Sequence, residues 1–475
     1  MMPRLISITT TTHSQKHRDF FMKMMMGLVF TLLLATNAVD SAPSVYPTGV
    51  TIYDPIKAWN TYVVFDGRDG ITYLIDMNGN VAHKWDAIGF PSDIMDPAVT
   101  GGKLGHIIVQ EKGSVGSGGH VDNLFNNPVI KEIDWQGNTV WRWGEEAPGG
   151  AAQQNHDWER LVNGNTLIIA TLDHAVPGFS APVVHDQAIY EIAPSGKITW
   201  RWEMGQHIED LGLSDKGLKI LREGFTSAGS QAGIVMINNM QTLGPNRWYD
   251  AGDKRFHPDN LMIDLREANV IAIIDKQTGE FVWRMGPYYP GHLDSPVSRA
   301  YLYKVPRPVD QIVGQHDAHL IPKGLPGAGN LLVFDNQGPA GFPPAYLGAT
   351  SGSRVLEIDP MKSEIVWQYT GEDAGLPVWS FFSSFISGAR RLPNGNTLIT
   401  EGATGRIFQV TPTGETVWEY ISPYVGEMSF GGRVVKMRWV FRAQPVPYDW
   451  VPADTPRSEK AVVPPNINSF RIKSR

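Results

Sequence analysis

Along most of its length the chain alternates apolar and polar residues in short runs, separated by turns rich in Gly, Asn and Pro. A period of two is what a strand with one buried face requires, because successive side chains point to opposite sides. One unit recurs: an alternating strand, a turn containing Gly or Asn, and a second strand ending in Trp. It is read at Tyr73–Trp85, Ile133–Trp141, Ile192–Trp200, Ile274–Trp283, Ile358–Trp367 and Val410–Trp418. A second hairpin precedes several copies, as in the near-identical Leu161–Ile169 and Leu392–Thr400, each turning on Asn-Gly. Asn-Gly accepts the positive φ angles that a tight hairpin demands. Two hairpins per repeat make a four-stranded blade. Six copies therefore predict an all-β chain, a six-bladed β-propeller of four-stranded antiparallel blades.

The repeat also predicts how the ring closes. The copy ending at Trp85 has little sequence ahead of it to supply its inner strand, whereas a strand-like run at 432–442 is left over after the last copy. That run is expected to complete the first blade and remove two free edges, with 445–475 trailing over the surface. The six Trp residues should fill the gaps between blades. Their spacings of 56, 59, 83, 84 and 51 residues imply insertions at about 205–256 and 286–312. Within these, Ile208–Arg222 and Gly286–Gly291 read equally as lids over the central mouth or as simple loop drift.

Residues 1–42 read as a signal peptide, leaving 43–475 as the propeller. Lys16, His17, Arg18 and Lys23 precede an apolar run from Met24 to Ala35, and Ala38, Val39 and Ser41 supply small residues for cleavage. A periplasmic or secreted protein with no stable membrane span follows as the expectation. The chain holds no cysteine, which removes disulfides, thiolate metal sites and thiol nucleophiles. A net charge of −7 without basic runs argues against nucleic acid. Exposed aromatics such as Trp379 suit either a homodimer interface or a lid.

Candidate chemistry lies in histidines near the blade-opening strands: His156 in Asn155-His-Asp-Trp, His257 in Phe256-His-Pro-Asp-Asn260, and His316 in Gln315-His-Asp-Ala-His319. Innermost strands line the channel, so equivalent positions on different blades converge on one mouth. Arg266 follows His257 by nine residues and should face the same channel. His319, three residues beyond His316, should point away from it. Asp157 and Asp317 either orient their neighbouring histidines or hold turns. The histidine spacings match no metal signature, and no metal or cofactor is expected.

These residues bring a resemblance with them. Leu74–Val81, His156-Asp157, Phe256–Asn260, Leu265–Asp275, Gln315–His319, Phe334–Gly338 and Arg391–Ile399 resemble the arylsulfate sulfotransferase family over most of residues 60–445. The resemblance implies transfer of a sulfuryl group from a small aromatic sulfate donor to a phenolic acceptor, by ping-pong through a sulfohistidine. Carried over residue by residue, His316 is the nucleophile, His156 an acid–base group, and Arg266 the cation that holds the sulfuryl oxygens. Many relatives carry His-x-Asn where this chain reads Met236-Ile-Asn238, so either His257 is the replacement acid–base group or the activity is altered or lost. Asn238, Asn260, Tyr288 and Phe381 are the expected substrate contacts, and Tyr288, Tyr289, Phe381 and Phe382 either sandwich the aryl ring or only pack loops. Two other readings stand alongside: a non-enzymatic propeller binding a ligand or partner at its mouth, and a quinoprotein-like dehydrogenase suggested by Ala272–Trp283.

Overall fold

Short alternating strands cannot bury their apolar faces alone, and here they do so blade against blade. The computed structural model describes residues 47–111, 127–224, 233–287, 312–344, 352–430 and 433–464. Six antiparallel sheets are arranged as a propeller. From inner to outer strand, blade 1 holds Ala443–Val446, Tyr62–Asp66, Thr72–Ile75 and Val81–Trp85. Blade 2 holds Ile107–Gln110, Ile130–Ile133 and Thr139–Trp143, with Ile94 bridged to Ile107 at the inner position. Blade 3 runs Gln154–Arg160, Thr166–His174, Val184–Ile192, Ile198–Glu203; blade 4 runs Ile237–Thr242, Leu261–Leu265, Val270–Ile274, Phe281–Met285. Blade 5 runs His316–Leu320, Leu331–Asp335, Arg354–Asp359, Glu364–Tyr369. Blade 6 runs Gly388–Arg391, Thr397–Glu401, Arg406–Val410, Thr416–Ile421, and takes Gly49–Tyr53 as a fifth, outermost strand. In the Asn-Gly hairpins, Gly164 and Gly395 adopt φ of 86° and 93°, as the turn type demands.

The ring closes twice. A C-terminal strand does complete blade 1, but it is Ala443–Val446, paired to Tyr62–Phe65, and not the expected 432–442. The described strand within that run, Arg433–Met437, instead forms a separate hairpin with Gly426–Phe430. Pro445 had made the true strand look like tail. An innermost strand has one free edge, and there a proline forfeits no ladder bond. Gly49–Tyr53 pairs with Thr416–Ile421 of blade 6, so an early and a late segment of the described residues fasten the same seam. The remaining tail returns over this seam, where Tyr53 and Val462 exchange both backbone hydrogen bonds.

One indole per blade clasps the next blade. Trp85 donates to the Asp134 carbonyl, Trp143 to Gly196, Trp202 to Gly279, Trp283 to Pro360, Trp367 to Pro412 and Trp418 to Met77. Each acceptor is in the outer turn of the following blade, so six bonds run around the ring. In blades 2 and 3 the clasping residues are Trp143 and Trp202, two positions beyond the expected Trp141 and Trp200. The face is the same and the depth differs. Trp141 and Trp200 instead lie under Arg160 and Lys276.

Among the described residues no helix is long and apolar enough to cross a membrane. In the first insertion, the helix Asp215–Gly224 and the turn Glu209–Leu211 bury Leu211 and Leu221 in the core between blades 3 and 4. The second candidate lid is described only as far as Pro287. Trp379 is 57% exposed.

Candidate active site

The inner strands of blades 3 to 5 share a local irregularity that aims side chains along the channel. Each carries a bulge: between Gln154 and Trp158, between Ile237 and Asn239, and between His316 and His319. Left-handed residues sit in or beside these bulges: His156 (φ 54°), Met236 (φ 52°) and Asp317 (φ 60°). Blade 6 is entered through Ile386 (φ 52°) and Ser387 (φ 92°). A β-branched residue at positive φ is strained. Bulges re-aim side chains, and here they bring His156 and His316 together at one end of the channel with Arg266.

His316 is 4% exposed and His156 3%. The Nδ1 of His316 lies 2.7 Å from Asn336 Oδ1 and 3.1 Å from the Gly314 carbonyl, both acceptors only. Nδ1 therefore carries the proton and Nε2 the lone pair. That lone pair accepts the Ile386 backbone N–H at 3.0 Å. Asn336 is held in turn, donating to the carbonyls of Ser383 and Ile386. His156 makes the same kind of bond, Nδ1 to Asn155 Oδ1 at 2.8 Å, and Asn155 Oδ1 also accepts from Gln187.

Burial pushes both rings away from protonation. His316 is held well below the usual imidazole range by desolvation, then by the Arg266 charge, with a smaller contribution from His156. His156 is pushed down to about 3 by desolvation, then by Arg266 and Arg442. Both are neutral imidazoles at physiological pH. Arg266 is 9% exposed; it pairs with Glu267 and reaches the Pro339 and Ser384 carbonyls at 3.4 and 3.5 Å, leaving its Nε without a partner. Asn238, fully buried, donates to the Gln315 carbonyl while its Oδ1 has no partner. Gln315 in turn bonds Asp264, Leu265 and Val270 of blade 4, which fixes His316 against the strand end that bears Arg266.

Other expected residues lie elsewhere. His257 and Asn260 belong to the turn before Leu261, and Arg266 follows Leu265 at the other end of the same strand. The strand separates them by roughly 15 Å, so the nine-residue spacing puts His257 and Arg266 at opposite ends of the blade. The His257 side chain is 42% exposed beside Asp259, and Asn260 joins two turns, donating to the Arg255 carbonyl and accepting the Lys276 N–H. Phe381 is 1% exposed and packs among Phe334, Tyr369 and Phe408 in the core between blades 5 and 6. Phe382 is likewise buried. Tyr288 and Tyr289 lie outside the described residues. Met236 gives its carbonyl to the Arg266 backbone N–H, so the position that departs from the resemblance does adjoin the site.

Aromatic residues come from segments not singled out in the sequence. Ile88, Phe90, Ile386, Met437, Trp439 and Phe441 form one apolar cluster, with Phe385 packed against it. Phe90 and Phe441 ring centroids lie 5.1 and 6.2 Å from His156, and the backbone of Ile386 touches His316. Asn336, which orients His316, stood inside the Phe334–Gly338 motif and could have been named from it. The aromatic residues carried no such signal.

Below the histidines the channel changes character. Arg442 is 4% exposed and crosses the axis to bind Asp157, Asn239 and Asp317. Arg390 also pairs with Asp317 at 2.7 Å. Asp157 accepts the Met240 N–H and Asp317 the Ala389 N–H, so these carboxylates tie blade 3 to blade 4 and blade 5 to blade 6. Past them a cavity of about 580 Å³, lined by His319, Glu159, Arg391 and others, opens at the far end.

No curated protein matches the chain. Among solved structures, it is similar to a protein of unknown function from Bacteroides caccae, with 11% identity and a TM-score of 0.41, covering 82% of this chain and 99% of that one. A streptogramin B lyase gives 15% identity and a TM-score of 0.38 over 84% and 92% of the two chains. AztD from Citrobacter koseri gives 9% and 0.33 over 84% and 98%. Nothing about function follows at these values. The family comparison is of another kind: the model for arylsulfotransferase (ASST) matches residues 60–431, a span holding both histidines, Arg266 and all six repeats. That places the chain among enzymes, not binding scaffolds or dehydrogenases, and it belongs to the arylsulfotransferase family.

Proposed function

We propose that this aryl sulfotransferase works by ping-pong transfer through a sulfohistidine at His316. The observation that carries the reading is the fixed tautomer of that residue: Nδ1–H is committed to Asn336 and Gly314, and Nε2 holds the lone pair at the Ile386 N–H, beside the apolar cluster. A buried imidazole kept neutral is a competent nucleophile at physiological pH.

In the first half-reaction Nε2 attacks sulfur, the sulfur–oxygen bond to the aryl group breaks, and the phenolate leaves with that electron pair. The ring becomes a cation that retains its Nδ1 proton, and Asn336 Oδ1 stabilises it. Nε2 exchanges its bond from Ile386 N–H for the bond to sulfur, which frees that N–H to donate to a sulfuryl oxygen. Arg266 neutralises charge on the sulfuryl group in both halves. In the second half-reaction an acceptor phenol attacks sulfur, the nitrogen–sulfur bond breaks and His316 regains its lone pair. Neutral His156 takes the phenolic proton through Nε2 and releases it to solvent, which returns both imidazoles to the neutral state. Asn238 Oδ1, buried without a partner, is an acceptor available to the incoming hydroxyl. With Met236 where relatives carry a histidine, His156 is the sole imidazole assigned to proton transfer. Donors with good leaving groups are therefore favoured.

The test uses 4-nitrophenyl sulfate with and without phenol. Nitrophenol release should be phenol-dependent after a first turnover, and an SO3 adduct should map to His316. His316→Ala should lose both, by at least about a thousandfold in rate. An adduct on another residue, or full turnover in His316→Ala, overturns the assignment.

A further inference from the structure

We propose that Arg68 and Trp439 form the outer end of the aryl pocket and select substrates whose ring carries a second, anionic group, a carboxylate in the first instance. The proposal rests on the aryl sulfotransferase reading and adds the class of substrate.

Arg68 lies in the turn between Tyr62–Asp66 and Thr72–Ile75 of blade 1, at the same end of the propeller as the histidines. Its guanidinium stacks on the Trp439 ring, 4.4 Å from the centroid. Trp439 meets Phe385 at 5.1 Å between ring centroids, and Phe385 immediately precedes Ile386, whose N–H bonds His316 Nε2. A chain of contacts thus links the nucleophile to Arg68: the Ile386 hydrogen bond, the apolar cluster through Phe385 and Trp439, and the guanidinium stacked on that indole.

Two donors at the end of that line have no partner. Arg68 Nε and Trp439 Nε1 are both buried and make no hydrogen bond, and Trp439 is 6% exposed. Buried donors are almost always satisfied, and each orphan calls for an unseen acceptor. Asp66, the acid whose charge acts on Arg68, is occupied by Thr72, Ser92 and the backbone of Gly89 and Ser92. Among the described residues Arg68 has no carboxylate within salt-bridge distance. Burial alone pushes its pKa down to about 10, with Asp66 opposing. A guanidinium stacked on an indole, with a free edge beside a free indole N–H, matches a planar carboxylate. The apolar side chains between it and His316 match the ring that would carry this group.

Acceptor preference and direct binding test this together. With 4-nitrophenyl sulfate as donor, the wild type should prefer 4-hydroxyphenylacetate over phenol by about tenfold or more in kcat/KM, as a charge-assisted pair implies. Arg68→Gln should erase that ratio, chiefly through KM, and Arg68→Lys should restore part of it. Trp439→Phe keeps the ring, removes the N–H and should reduce the ratio severalfold. Calorimetry with 4-hydroxyphenylacetate and with phenol needs no turnover. Tighter binding of the carboxylate in the wild type, lost in Arg68→Gln, sustains the subsite even if no sulfate is transferred; only the reading of the reaction would then fall. Equal binding of the two ligands, or a preference indifferent to Arg68→Gln and Trp439→Phe, overturns the subsite whether or not the enzyme turns over.

Discussion

The two layers of the central channel are built from adjacent residues and have opposite characters. His156, His316 and Phe441 stand in the upper layer, where neutral rings and apolar side chains meet. Their immediate successors, Asp157, Asp317 and Arg442, form the ionic layer beneath. A strand alternates faces, and the bulges convert that alternation into a division along the channel axis. The upper layer is left with an unpaired Arg266 Nε, an unpartnered Asn238 oxygen and a strained Ile386. The lower layer is densely paired and links blades 1, 3, 4, 5 and 6. Reactivity and rigidity are therefore supplied by neighbouring residues, and the strained upper layer rests on a tightly bonded floor.

Breaking the floor should have the largest effect on stability. Arg442→Met leaves Asp157 and Asp317 buried without their shared cation and should cost about 3–5 kcal/mol, measured by denaturant unfolding. His316→Ala, one residue from that network, should leave the unfolding midpoint far less changed, so the pair separates a structural layer from a reactive one. Equal destabilisation by both would dissolve the distinction.

Acidification sharpens the comparison from above. Because burial and Arg266 hold His316 below its ordinary pKa, its neutral form persists as pH falls through 6.5. An unperturbed histidine would fall from about half neutral at pH 6.5 to about a tenth neutral at pH 5.5, a loss of roughly fivefold. The rate of the first half-reaction should fall by less than about twofold over that interval, read by stopped-flow nitrophenol release. The same depression works against stability at low pH. His156 and His316 gain protons on unfolding below about 6.5, so their part of the stability is present above that pH and declines as pH falls further.

The smallest effect is expected at the position that the spacing favoured most misleadingly. His257→Ala, at the far end of blade 4, should change kcat/KM by less than about twofold, well inside the range of surface substitutions. A loss beyond tenfold would mean that the lower end takes part in the reaction.

How much was legible follows from which interactions are local. Hairpins, Asn-Gly turns and the Trp-ended repeat are set by neighbouring residues, so the blade count could be read directly. His156, Asn238, Arg266 and His316 stood out by motif. Asn336 could have been added, since its place in Phe334–Gly338 is explained by the bond to His316. Strand direction misassigned His257 and Asn260, because a count of residues does not say at which end of a blade a turn lies. Phe381 was an aromatic beside a loop, and only packing between blades 5 and 6 made it core.

The amino-acid sequence by itself determined the period-two strands, the six repeats, the cysteine-free chemistry and the identity of the imidazole and guanidinium groups. These depend on backbone sterics and side-chain type, which act at short range. Tertiary structure decided which end of each strand faces the mouth, that Ala443–Val446 and not its predecessor closes blade 1, and that residues 88–90, 385–386 and 437–441 share one apolar cluster. Those outcomes come from ring closure. It brings together segments hundreds of residues apart, and no local pattern records which side chains will meet.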